Sequence, residues 1–184
     1  MVTKIPASMV DADVATQAEL DAVSAAAAAA ALKQAGDVVQ VVSYQTGAVA
    51  TGSTVLPWDD TIPQIGEGNE YMTLAITPTS ATNILLIEVV GNFAASVAQN
   101  FSAALFQDAT ANALAAAPQF MASTGSAYNI KFTHKMTAGT TSATTFRVRA
   151  GGNNAGTTTF NGVSGGRYLG GVMASSITIT EIKV

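Results

Sequence analysis

Few residues in this 184-residue chain could do acid–base or metal chemistry. His134 is its single histidine, so any imidazole base or ligand would have to be built there. It alternates with Tyr128, Ile130, Phe132 and Met136 along one apolar face. That placement predicts a hydrogen-bonded core or interface histidine. No nucleophile elbow accompanies it, which argues against a Ser/His/Asp triad. Asp59, Asp60, Glu67 and Glu70 follow Trp58 in one loop-like segment. Two carboxylates beside an aromatic ring could form a glycosidase pair or an incidental divalent-ion site at Asp59 and Asp60. Their spacing does not match a helix-bounded calcium loop, and a solvated loop accounts for the same residues. The run from Gly165 to Gly171 is neither a P-loop nor a dinucleotide fingerprint, because no helical pattern follows it. The expectation is a non-enzymatic protein with no catalytic residue, metal or cofactor.

Binding chemistry is better represented. Lys131 and Lys135 alternate with the apolar residues of 127–136, and Arg147 and Arg149 with Phe146 and Val148. If 127–150 is a hairpin, the four cations share the face opposite the apolar one. Such a face is solvated, pairs subunits, or takes an anionic ligand such as a bacterial surface glycan or lipopolysaccharide phosphate. The Asn-, Thr- and Gly-rich stretch 151–167 adds Asn153, Asn154, Arg167 and Tyr168 as adaptable polar contacts with a cationic and an aromatic anchor.

Composition narrows the class. Hydrophobic residues make up 48%, but 35 of these 89 residues are alanine, while 23 threonines accompany only 11% charged residues. This is the profile of an all-β interaction protein. Residues 1–108 carry 2 basic and 11 acidic side chains, and residues 109–184 carry 6 and 1. That balance does not suit a nucleic-acid binder. It suits stacked subunits or a ligand-facing C-terminal half. The absence of cysteine excludes disulfides and thiolate zinc sites. No apolar run reaches the roughly 18 residues of a membrane span, so no membrane insertion is expected.

Three segments must position these groups. Residues 1–15 include Ile5-Pro6-Ala7-Ser8-Met9-Val10 and read as an extended peptide. Thr16-Gln17-Ala18-Glu19 is a capping box, and strong helix formers continue to Ala35 before Gly36, so 16–36 reads as a helical stalk. Leu20, Val23, Ala27 and Ala30 form a narrow apolar seam that needs a partner: either the head, with the helix folded back on it, or, as expected here, a short parallel bundle in a homo-oligomer. Leu20→Asp with Val23→Asp is expected to dissociate it. From 37 to 184 the period is two. Strands are expected at 38–44, 71–76, 83–90, 102–107, 127–136, 144–150 and 176–184, with turns at 108–110 and 137–140. The fold class is mainly β: a jelly-roll-like antiparallel β-sandwich head after a short N-terminal coiled-coil-like helix.

The run Ile62-Pro63-Gln64-Ile65-Gly66-Glu67-Gly68, then Tyr71-Met72-Thr73 and Ile76-Thr77-Pro78, resembles a module of tailed-bacteriophage fibre proteins. Ala104-Leu105-Phe106-Gln107-Asp108, 132–139, 144–151 and Gly166-Arg167-Tyr168-Leu169-Gly170-Gly171 resemble it too. The resemblance covers about residues 38–184. It implies a homotrimeric head on a helical stalk, located in the virion. Ile5, Pro6, Met9 and Val10 would anchor it to capsid or tail proteins, and the head would adhere to a host surface. A capsid decoration protein is the alternative, and a carbohydrate-active enzyme a third reading. The short shaft departs from long tail fibres and favours a short fibre or spike.

Overall fold

The computed structural model describes residues 16–184, and within the helix the side chains up to 25. Ile5, Pro6, Met9 and Val10 lie outside the described residues. The chain divides into two compact units between Gln34 and Ala35.

The first unit contains one helix, α1 (Gln17–Ala31). Its capping box forms as the sequence implies: the Glu19 amide donates to Thr16 Oγ1 at 3.2 Å and the Thr16 amide donates to Glu19 Oε2 at 2.6 Å. The helix stops at Ala31 and not at Ala35, a rod of about 22 Å. Gly36 is not its cap. It has φ +92° and donates its amide to Lys183 O at 2.8 Å, so its left-handed backbone starts the first strand of the second unit.

The second unit is an antiparallel β-sandwich, jelly-roll-like in class, as expected. One sheet runs β1 (Val38–Thr46), β12 (Ser175–Ile182), β4 (Ile84–Ala95), β9 (Thr158–Phe160), β2 (Ala50–Gly52), with β7 (Tyr128–Thr137) also on β4. The other runs β3 (Asn69–Ile76), β8 (Thr144–Gly152), β5 (Gln99–Gln107), β6 (Ala115–Met121). A small hairpin pairs β10 (Gly162–Val163) with β11 (Gly166–Arg167). Alternate residues face inward. Ile87, Val89, Phe93, Ile177 and Ile179 of the first sheet and Met72, Phe101, Leu105, Phe146 and Val148 of the second are buried in one core. Tyr71 and Phe93 meet edge-on with ring centroids 5.5 Å apart, which adds directional aromatic contact to the burial.

Each strand expected from the sequence forms, but 127–150 is not a hairpin. β7 pairs with β4, and β8 pairs with β3 and β5, so the two strands lie in different sheets. The connection crosses from one sheet to the other, tied by the amides of Ala138 and Gly139 to Asn83 O and Ala81 O, both at 2.8 Å. Both strands have one strongly apolar face, and placing them in opposite sheets turns both faces into the shared core. Period-two alternation is the same for paired and facing strands.

A buried carboxylate fixes the loop before β4. Glu181 on β12 accepts from Gln40 Nε2 and Asn83 Nδ2, each at 2.6 Å, and from the Thr79 hydroxyl and amide at 2.8 Å. Burial pushes its pKa up, but these donors win and hold it at about 2.

Candidate binding groove

The segment between β2 and β3 covers the outer face of the β3-β8-β5-β6 sheet, and it is pinned at both ends. Near its start, the Leu56 amide donates to Gly152 O at 3.0 Å, and Leu56 packs on outward-facing Ala104 and Phe106 of β5. Gly151 makes this approach possible. A Cβ there would stand 2.6 Å from Thr54 O. Near its end, Arg149 Nε and Nη2 donate to Glu67 O and Gly68 O at 3.0 and 2.8 Å. The Ile65 amide donates to Ala111 O, and the Ala113 amide to Pro63 O.

Between these pins the arch from Pro57 to Ile62 stands beside the edge strand β6. Two contiguous clefts of about 240 and 310 Å³ run between them, sharing Asp59, Thr61, Pro63 and Ala116. Trp58, 46% exposed as a residue, lines the first cleft together with Pro118 of β6. Pro118 pairs with Ser102 on β5. A proline cannot donate to that neighbour, so its missing N–H belongs to the free edge, where it discourages a further strand. Asp59 Oδ1 accepts from the Thr61 amide at 2.9 Å and from the Thr61 hydroxyl. These side-chain and backbone bonds lower the Asp59 pKa below the ordinary carboxylate range.

The other acidic residues of this segment do separate work. Glu67 accepts from the Gln64 amide at 2.8 Å, and Glu70 pairs with Arg147 and Arg149 at 3.4 and 3.7 Å. Among the described residues no three metal-ligating side chains gather. His134 shares an inward row with Ile87, and burial lowers its pKa.

The proposed cationic quartet is not brought together. Lys131 and Lys135 lie opposite Val90 and Leu86 on the outer face of the first sheet. Arg147 and Arg149 lie on the outer face of the second, tied to Glu70. Asn153 and Asn154 follow β8. The Asn154 amide donates to Gln99 Oε1 at 2.9 Å, and Asn153 Oδ1 is buried with no partner among the described residues. Arg167 and Tyr168 are exposed at and after β11. On α1, Leu20 and Val23 are exposed; Ala27 and Ala30 lie on the same helix, beyond its described side chains. The groove that does form was missed as a unit. Its one signal in the sequence is the chain's single tryptophan beside two aspartates; Ser102 and Pro118 reach it only through strand pairing.

Fold and groove together define an antiparallel β-sandwich domain with a loop-built cleft on one face. Residues 55–184, more than half of the chain, match the family model of the Pgp3 C-terminal domain. The chain belongs to that family. No curated protein matches it. Among solved structures it is similar to latent PorU from Porphyromonas gingivalis, at 10% identity and TM-score 0.40 over 82% of this chain and 14% of that one. It is also similar to infectious bursal disease virus Gt strain, at 15% identity and TM-score 0.37, covering 80% of this chain and 39% of that one. Likenesses this distant carry no functional inference, and the chain spans well under half of each neighbour.

The family overturns the bacteriophage resemblance. Pgp3 is a plasmid virulence protein of Chlamydia and not a phage fibre. The virion fibre or spike, its capsid-decoration alternative and the virion location fall with it. The physical reason is that the quoted runs are strand and turn segments. Alternating Thr, Val and Phe with Gly turns suits many sandwiches and identifies none.

Proposed function

We propose that this chain is a non-enzymatic interaction module that works as a homotrimer, with the outer face of the β1-β12-β4-β7 sheet as the subunit contact. The observation that carries the reading is that face itself. Val38 is in register with Ile182 and Ile84, and Val41 with Thr180 and Leu86. Val38 and Val41 are 48% and 56% exposed on the edge strand β1, where burial against a neighbour would remove apolar area from water. Charges on this face are confined to Glu88 of β4 and Lys131 and Lys135 of β7 among the described strand residues. An edge packed against a neighbour's face is a heterologous contact, which closes into a ring of three when each neighbour is turned by a third of a full rotation. The half-buried His134 and the scattered carboxylates support the non-enzymatic part, since neither supplies an acid–base pair.

Light scattering on the full chain tests this. The expected native mass is three times that of one chain, falling to one in the Val38→Glu, Val41→Glu double variant while the circular dichroism spectrum is kept. A monomeric wild-type chain, or a double variant that keeps the trimer mass, overturns the reading.

A further inference from the structure

We infer that the groove between the 57–62 arch and β6 is a binding site for a neutral saccharide chain, lying on Trp58 and hydrogen-bonding to Asp59 and Ser102. The inference rests on the non-enzymatic interaction reading and adds a site and a ligand class to it.

Three observations support the site independently. Ser102 is only 8% exposed, lines the cleft, and its hydroxyl has no hydrogen-bond partner among the described residues. That hydroxyl is not among the buried unpaired atoms, so it opens onto the cleft, where an entering ligand can bond to it. Asp59 is oriented through Oδ1 alone; its Oδ2 has no protein donor among the described residues. Trp58 presents a wide aromatic surface beside both groups, although indole is usually covered in a folded domain.

The same residues select the ligand. A pyranose ring has an apolar face of C–H groups that can lie on indole. Its equatorial hydroxyls donate to a carboxylate oxygen and exchange hydrogen bonds with a serine hydroxyl. No Lys, Arg or His lines either cleft, so nothing there compensates a phosphate, sulfate or uronate. An extended peptide added as a strand is disfavoured by Pro118 on the only edge beside the groove. The two clefts adjoin, sharing Asp59, Thr61, Pro63 and Ala116, which leaves room for more than one sugar unit. The arch is pinned on both sides, so little ordering is needed on binding.

The test uses the full chain with cellohexaose and chitohexaose as neutral probes, a hyaluronan hexamer as the anionic control, and an Arg-containing proline-rich peptide as the rival ligand. Binding is followed by calorimetry, with native mass recorded on the same samples. Saturable binding of a neutral hexamer is expected, weakened about tenfold or more in Trp58→Ala and in Asp59→Asn, and less in Ser102→Ala. Tyr168→Ala, away from the groove, should bind as the wild type. No saturable binding of either neutral hexamer overturns the inference. So does tighter binding of the hyaluronan or the peptide, or neutral binding that survives Trp58→Ala. Failure with the trimer mass intact removes only the saccharide site. A monomer that still binds removes the trimer reading instead.

Discussion

The two outer faces of the sandwich are made from similar alternating strands and end in opposite states. The face of β3, β8, β5 and β6 is covered by the segment between β2 and β3, while no described segment of the second unit covers that of β1, β12, β4 and β7. The difference lies in the outward residues. On the covered side they include Gly151, Ala104 and Phe106, with Arg149 to hold carbonyls of the incoming segment. Small residues admit a backbone, an aromatic gives it something to bury, and a guanidinium ties it down. On the bare side they are Val41, Thr180, Thr178, Leu86 and Val90, a fuller surface without such a seat. One face is suited to its own loop and the other to a second molecule.

The largest expected effect sharpens the contrast from the bare-faced sheet. Glu181→Ala leaves Gln40, Asn83 and Thr79 donors without their acceptor and should cost about 3 kcal/mol in urea unfolding. The wild type carries a matching pH signature. The folded pKa of Glu181, about 2, lies below its ordinary 4.5. Its contribution is therefore full above pH 4.5 and lost as pH falls from there towards 2. Glu181→Gln should flatten that acid limb; an unchanged acid titration in the variant would show that the carboxylate does not stabilise the fold.

Gly151→Ala comes next. The new methyl must displace Thr54 and the arch beyond it, at a cost of about 1–3 kcal/mol. Emission from Trp58 should shift as the arch lifts. If stability and emission both stay native, the covered face is not held by this close approach.

On the bare face, the Val38→Glu, Val41→Glu pair should change thermal stability of the protomer by no more than about 0.5 kcal/mol, because both side chains are already exposed. Its effect should appear in native mass alone. The helix gives the smallest effect. Leu20 and Val23 are 53% and 67% exposed. Leu20→Asp with Val23→Asp should leave the unfolding midpoint of the sandwich unchanged and lower native mass only if α1 is an assembling element. A trimer that survives this pair but not the β1 pair would place assembly on the sheet.

Much of the fold was legible because burial on alternating positions leaves a direct trace. The strands around Ile87, Phe146 and Ile179 are readable from period two, and Thr16 with Glu19 marks the helix start by reciprocal bonding. β6 was not among the expected strands: Ala115, Ala116 and Ala117 with Pro118 have weak strand preference, and pairing with β5 overrides it. The groove was half legible. Trp58 and Asp59 stood out by type, but Ser102 and Pro118 are far from them in sequence. Lys131, Lys135, Arg147 and Arg149 were joined into one face by assuming that neighbouring strands pair.

By itself, the sequence determined an all-β head after a capped helix, no thiolate chemistry, and which residues of each strand point inward. These depend on local periodicity and on side-chain type. Only the tertiary structure decided that β7 and β8 lie in opposite sheets, that Gly36 begins a strand, and that one sheet carries its own cover. Those outcomes depend on which distant surfaces bury each other best, and period-two alternation holds no record of that choice.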